Sequence, residues 1–426
     1  MSVSLLADAP WRTAPTSLAV IAALEAAGGP GCARFVGGCV RNALIGQPVD
    51  DIDIATPLTP DQVIAALKAA GLKSVPTGIA HGTVTAVAYG TPFEITTLRR
   101  DVETDGRRAV VAFTDDWSQD AQRRDFRLNA LYADPAGAIY DPTGAGVEDA
   151  LAGRIVFVGE PATRIAEDGL RILRFFRFLA WFGRGAPDAA ALAACADMKD
   201  HIAQLSAERI AKELLKLLAA QDPRAAVRLM ADIGVLGEVA AEVDRSSPRR
   251  INQAADLSRF ERLVGIESEE HIPPDPLLRL AALLPDDPAA AAATAGRLRL
   301  SNAQRDRLVA ALTADGPISG DMTPPEARRA IYRLGGDTFC DRVMLAWAQA
   351  TPITGSAPWA ALITLARTWP RPSFPLTGED VMAEGRAKGP AIGEVLRGLE
   401  AEWVDGDFSA DRARLIDRLK RVVRLS

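Results

Sequence analysis

FVGGCVRNALIGQPVDDIDIAT, residues 35–56, joins an apolar strand end to a Gly37-Gly38 turn, a short amphipathic helix carrying Arg41, and a second strand bearing Asp51 and Asp53. Side chains alternate across a strand with period two, so Asp51 and Asp53 share one face while Ile52 and Ile54 turn to the core. Two neighbouring carboxylates repel each other unless a cation lies between them. A pair of hard oxygen donors selects a divalent ion, Mg²⁺ above all. Paired glycines let the backbone approach a ligand closely, and the helix that follows offers free N–H groups and a positive dipole end to an anion. Cation, phosphate and glycine turn together point to nucleotide chemistry. An isolated Asp-x-Asp is usually a solvated strand end; Gly-Gly and an Arg three residues on give this one its weight.

The chain has 426 residues, 48% of them hydrophobic, with a formal net charge of −6. That length allows roughly two to four domains, and the abundance of alanine and leucine points to much helix around a normal soluble core. No run of 18 apolar residues occurs, and the start MSVSLLADAPWR lacks a basic segment followed by a long apolar one, so neither a membrane span nor a secretory signal is expected. Cys32, Cys39, Cys195 and Cys340 form no C-x-x-C pair, which suits reduced thiols in a cytoplasmic protein. An acidic total weakens the case for a nucleic-acid partner without removing it. The basic residues gather locally, at 164–184 and 412–424.

Along the chain, 17–28 reads as a helix, Thr59 caps a helix from Pro60 to Ala70, and strands are expected at 72–76, 82–89 and 93–98. Glu94, on the last of these, is a candidate third metal ligand. The charged stretch 99–116, with Gly106 at its tip, reads as a solvated hairpin. From about residue 160 the pattern becomes helix after helix, with breaks at 183–185, 246–248, 273–274, 285, 316–320 and 370–375. The expected architecture is α+β: a small mixed-sheet head over 1–145, a helical neck over 146–225, and an elongated helical body and tail over 226–426.

Two further stretches carry chemistry. RRDFRLNALYAD, residues 123–134, reads as a helix that brings Arg123, Arg124 and Arg127 into one turn, a concentration of charge that calls for an anion such as a triphosphate. Asp125 and Asn129, four apart, would share a face and hydrogen-bond a ribose. EDGLRILRFFRF, residues 167–178, places Asp168 and Arg171 on one helical face, continued by Arg174 and Arg177. A Glu167–Arg171 pair at i,i+4 would contribute only about 0.2–0.5 kcal/mol. That does not explain a row of arginines opposite few acids. Cytosine and adenine both present an amino donor beside a ring-nitrogen acceptor on their pairing edge, whereas guanine and uracil reverse the order. A carboxylate accepting from the amino group and a guanidinium donating to the ring nitrogen would therefore pass C and A and reject G and U.

The first motif, GG-x-x-R-x-x-x-x-G-x(4)-D-x-D-x-x-T, resembles the opening signature of the class II tRNA nucleotidyltransferase and bacterial poly(A) polymerase superfamily, with Asn42 where many members have Asp. RRDFRLNA resembles the family's next motif, with Arg127 in place of the usual Thr. DPTGAGVEDALAG (141–153) resembles the turn joining head to neck, EDGLRILR the protein template that selects CTP and ATP, and SAERIAKELLKLL (206–218) a scaffolding helix. The five matches keep the family's order and cover about residues 20–220. The resemblance implies a polymerase-β-like head and a mobile active-site loop at 99–116. It implies Asp51 and Asp53 as catalytic, Mg²⁺-binding residues. Nucleotide binding falls to Gly37, Gly38, Arg41, Arg123, Arg124, Asp125, Asn129, Asp168, Arg171 and Arg174. The implied reaction is template-independent addition of C, C and A to the 3′ end of tRNA from CTP and ATP. The tRNA backbone would be gripped by the body and by the basic end helix (Arg412, Arg414, Arg418, Lys420, Arg421, Arg424).

Other readings compete with this one. A poly(A) polymerase would carry a G-[RK]-[RK]-F-like signature, where residues 78–83 read GIAHGT; CC-only or A-only addition remains open. A metal phosphohydrolase would need a His-Asp pair, but none of His81, His201 and His271 is followed by Asp. A non-catalytic RNA-binding module has no use for paired carboxylates that repel phosphate. No protein partner is indicated.

Overall fold

Period-two burial marks the head's sheet. In the strand Thr83–Ala88 the residues Val84, Ala86 and Ala88 are buried, and in Thr91–Thr97 Phe93, Ile95 and Thr97 are. The computed structural model describes residues 3–4, 6, 9–105, 108–240, 257–350, 355–386 and 388–425. Gly106 and the break expected at 246–248 lie outside them.

Eight strands form one mixed sheet in the order β1-β10-β9-β2-β3-β6-β5-β4. Their ranges are β1 Val3–Ser4, β2 Arg34–Val36, β3 Asp53–Thr56, β4 Lys73–Gly78, β5 Thr83–Ala88, β6 Thr91–Thr97, β9 Tyr132–Ala133 and β10 Ala138–Tyr140; β7 Arg99–Asp105 and β8 Arg108–Phe113 pair separately as an antiparallel hairpin. Only β3 and β6 run parallel, with Asp53 opposite Glu94; the other strand pairs are antiparallel. Helices α1 Pro10–Thr13, α2 Pro15–Gly28, α3 Gly38–Leu44, α4 Pro60–Ala69 and α5 Trp117–Gln122 surround this sheet. α4 starts at a capping box in which Thr59 and Gln62 satisfy each other's backbone N–H.

The sheet holds strands beyond those expected: β9 lies in the stretch 123–134, whose sequence reads as helix, and β1 and β10 lie in segments for which no strand is expected. Residues 123–134 are not helical. α5 ends at Gln122, a 3₁₀ turn covers Arg127–Asn129, and β9 follows. Two forces break the helix. The Asp125 side chain accepts from the Phe126 N–H at 2.8 Å, which competes with a helical bond, and the backbone pairs across to another segment, Arg127 N to Val156 O and Val158 N to Asp125 O, both at 3.0 Å.

After the sheet come α6 Gly146–Ala152, α7 Pro161–Glu167, α8 Leu170–Phe182, α9 Ala189–Asp197, α10 Ala207–Leu218, α11 Arg224–Asp232 and α12 Val235–Val239. α8 buries Ile172, Leu173, Phe175, Phe176 and Phe178. Phe178 and Phe126 lie with ring centroids 5.0 Å apart, and Phe126 and Phe157 4.8 Å apart. These rings attach α8 to the segment that carries the arginine motif.

The described residues up to 240 form one compact unit and those from 257 onward another. The second unit is a succession of helices from Ser258–Glu269 to Arg412–Leu425; Leu376, Val381, Leu399, Trp403, Leu415 and Leu419 form one of its buried clusters, and Phe260, Leu280, Phe339 and Val343 are buried elsewhere in it. Its buried Arg279 is neutralised by Glu267 at 2.6 Å. No helix among the described residues is long and apolar enough to cross a membrane.

Candidate active site

Gly37 caps α3 with φ at 72°, a conformation that a side chain would strain, and its N–H donates to Leu131 O at 3.0 Å. The turn carries Cys39 inward, where burial pushes the thiol up to about 11 and the S–H faces Val36 O at 3.3 Å. Cys39 is a packing residue. β3 then delivers the aspartates: Asp53 is its first residue and Asp51 lies just before it. Both line one cavity of about 430 Å³, which they share with Gly37, Gly38 and Arg41 from the turn and Arg124, Asp125 and Asn129 from the second motif. Asp50 lines it too, as do Arg174, Arg177 and Phe178 of α8 and Lys216 of α10.

Asp53 is pushed up to about 6, first by burial, then by the charge of Glu94 beside it and of Asp51, with Arg124 pulling the other way. A carboxylate held that unfavourably is what a bound cation would relieve. Among the described residues no three His, Cys, Asp or Glu side chains are gathered as a ligand cluster. Glu94 is Asp53's neighbour in register and does not complete such a set. Two carboxylates alone suit an ion that keeps water and takes phosphate oxygens from its substrate, the habit of Mg²⁺.

A hydrogen-bonded chain crosses the cavity wall. Arg41 donates through Nη1 to Asn129 Oδ1, Asn129 Nδ2 donates to Asp125 Oδ1 at 3.0 Å, and Arg174 Nε donates to Asp125 Oδ2 at 2.7 Å. Asp125 and Asn129 therefore meet, though across a turn instead of along a helix. Burial alone would raise the Asp125 pKa, but Arg174 and Asn129 overcome it and bring the carboxyl down to about 2. Arg41 is also held by Asn42, whose Oδ1 accepts from Nε at 3.1 Å and Nη2 at 2.7 Å, and it lies 4.0 Å from the Phe182 ring centroid. Burial lowers Arg41 to about 10; Asp125 opposes this and Arg177 adds to it.

Asp120, a residue the motif reading passed over, organises the other wall. Its carboxylate is 1% exposed and accepts from Arg123 Nε at 2.8 Å, Arg124 Nη2 at 2.9 Å and Tyr132 Oη at 2.7 Å. Burial would raise its pKa, yet Arg124 and Arg123 draw it down to about 2. The i−3 and i−4 spacing of Asp120 from the two arginines was legible in SQDAQRR. Arg127 departs from this group and faces Asp149 at 3.7 Å.

The template stretch differs from the expected continuous helix. α7 stops at Glu167, Asp168 adopts extended backbone (φ −155°, ψ 105°), and α8 begins at Leu170. Asp168 Oδ1 accepts from Leu170 N at 3.1 Å and so starts the new helix. Gly169 permits the corner, since a Cβ there would come within 2.9 Å of His201 Cβ. Arg171 pairs with Glu167 and donates to the carbonyls of Arg164 at 2.7 Å and Arg123 at 3.2 Å. Asp168 pairs with Arg209 of α10 at 2.6 Å, and Glu213 of α10 takes Arg177 at 2.5 Å. The arginine row is thus not short of acids: beside the i,i+4 partner Glu167, Asp125 and Glu213 reach it from other elements, contacts that spacing does not reveal. Asp168 and Arg171 do not line the cavity, but Asp168 is close enough to Arg174 to act on its charge.

Residues 33–156 match the poly A polymerase head domain, and 186–247 match the probable RNA and SrmB-binding site of polymerase A. The mitochondrial CCA tRNA nucleotidyltransferase 1 of Mus musculus is 31% identical over 397 residues, covering 91% of this chain and 86% of that protein. The chain belongs to the CCA tRNA nucleotidyltransferase family. A CCA-adding enzyme of Geobacillus thermodenitrificans is 38% identical over 208 residues, 48% of this chain and 49% of that protein. The crystal structure of the Bacillus stearothermophilus CCA-adding enzyme in complex with CTP superimposes with a TM-score of 0.74 at 27% identity, covering 96% of this chain and 97% of that one. Members of this nucleotidyltransferase family use a divalent metal ion.

Proposed function

We propose that this chain adds C, C and A to the 3′ end of tRNA without a nucleic-acid template, using CTP and ATP and releasing pyrophosphate. The observation that carries the reading is the convergence of Asp51 and Asp53 with Arg124, Arg174 and Arg177 on one cavity. Acidic residues alone would repel a triphosphate, and arginines alone would hold it without activating the attacking hydroxyl.

Asp51 and Asp53 would hold the divalent ion, by this reading Mg²⁺. When bound, it supplies a lowered pKa for the RNA 3′-hydroxyl and charge neutralisation at the α-phosphate. Arg41 and Arg124 face the triphosphate, and Arg123 steadies Arg124 through their shared Asp120. Asp125 and Asn129 hold Arg174 and Arg41 in place, and the second hydrogen of Asn129 Nδ2 would serve a ribose. Asp168 and Arg171 discriminate the base, the carboxylate accepting from the amino group of C or A and the guanidinium donating to the ring nitrogen. The helices of the second unit bind the tRNA backbone. On its last helix Arg412 is paired with Asp380 and Arg418 with Glu402, and Arg414, Lys420, Arg421 and Arg424, which carry no ion pair among the described residues, would meet phosphate. A reducing cytoplasm is the proposed compartment, since all four cysteines are free thiols.

The test is incubation of the purified protein with tRNA ending at the discriminator base and each labelled nucleoside triphosphate, followed by sizing of the product. Three added residues in the order C, C, A are expected. A homopolymeric A tract, or no extension, would overturn the reading.

A further inference from the structure

α8 and α10 run side by side in the same direction, tied at successive levels. Asp168 meets Arg209, Arg177 meets Glu213, and at the far end the Trp181 indole N–H donates to Lys216 O at 2.8 Å. The last tie differs in kind from the others. Trp181 is 49% exposed, and its only polar atom is already satisfied. What it offers to the outside is a fixed aromatic face.

The position of that face is set by helical geometry. Trp181 lies seven residues beyond Arg174, four beyond Arg177 and three beyond Phe178, so it continues the side of α8 that lines the catalytic cavity. Lys216, whose carbonyl anchors the indole, also lines that cavity. Arg171, at the base-reading end, is about 15 Å away along the helix axis. Behind the indole, Phe182 lies at a centroid distance of 6.5 Å and carries the Arg41 guanidinium on its ring.

We infer that Trp181 is a stacking platform for the unpaired base at the 3′ end of the RNA substrate. The inference rests on the tRNA-extending reading above. The incoming nucleotide has its base toward Asp168 and Arg171, and its phosphates near Asp51 and Asp53. The RNA end that attacks it must then enter from the opposite side, where the surface passes from Arg174, Arg177 and Lys216 to an exposed indole. Cations for the backbone beside a flat ring for the base is the arrangement that holds single-stranded RNA without reading its sequence. Such tolerance suits a site that must accept a different terminal nucleotide at each step.

The experiment compares the full-length wild type with Trp181→Phe and Trp181→Ala, using two RNA hairpins that share a stem, one blunt and one with unpaired 3′ nucleotides. Wild-type tryptophan fluorescence should be quenched more by the overhang hairpin than by the blunt one. Trp181→Phe should lose that difference while binding the overhang hairpin within about twofold, because a phenyl ring still stacks. Trp181→Ala should bind the overhang hairpin about tenfold more weakly, with the blunt hairpin and the KM for CTP unchanged. Equal affinity of Trp181→Ala for both hairpins at wild-type level, an equal loss for both, or a change only in oligomeric state would overturn the inference. CTP and ATP incorporation by the wild type is measured alongside. If incorporation fails while overhang-dependent quenching persists, the activity reading falls and the platform stands; if incorporation succeeds and Trp181→Ala has no effect, the reverse holds.

Discussion

Arg209 donates to Asp168 at 2.6 Å, from a helix that begins almost forty residues further along the chain. Asp168 sits in extended backbone between two helices, so its orientation depends on this partner and on the Leu170 N–H. Arg209→Ala should therefore relax base choice, raising incorporation of UTP and GTP relative to CTP and ATP. Both side chains are substantially exposed, so stability should change by less than about 1 kcal/mol. Arg171→Ala should relax selection further. Unchanged C/A selectivity in both variants, measured with each labelled triphosphate, would contradict the template role of this corner.

Asp53→Ala should abolish incorporation, a loss on the order of 10² to 10³ or more, because it removes half of the cation's protein ligands. Binding of tRNA, by gel shift at constant salt, should be largely kept. A variant that lost RNA binding while retaining turnover on bound RNA would be incompatible with the assignment.

The raised pKa of Asp53, about 6, has a definite sign. In the metal-free protein its charged form is disfavoured, so this group's contribution to stability is present below the ordinary carboxylate range and is lost as pH rises through about 6. A divalent ion needs the ionised form. Mg²⁺ should raise the melting temperature more at pH 8 than at pH 5, with the change centred near 6. Glu94→Gln should move that centre to lower pH by removing the nearest repelling charge. A Mg²⁺ effect independent of pH across this window would refute the argument.

Asp120→Asn should destabilise the head by about 3–5 kcal/mol, since it leaves the buried Arg124 without its counter-charge. Chemical denaturation measures this directly. With the wild type, Asp120 and Asp125, both held near 2, contribute stability that is complete above the ordinary aspartate range and lost as pH falls from about 4 towards 2.

By itself the amino-acid sequence determined the glycine turn, the strand that starts at Asp53, and the cap at Thr59; Asp51, expected on that strand, lies just before it. It also determined the change from alternating to helical patterning near residue 160. Each of these is a local relation, settled by backbone sterics or by the period of a strand or helix. Tertiary structure decided what the segment 123–134 becomes, because its backbone partners lie at residues 156–158 and outweigh its local helical pattern. It decided the charge balance of α8 as well: Asp125 and Glu213 come to the arginine row from separate elements, and only packing brings them within reach. The Arg41–Asn129–Asp125–Arg174 chain has the same origin, since a hydrogen bond depends on distance in space and leaves no period in the sequence.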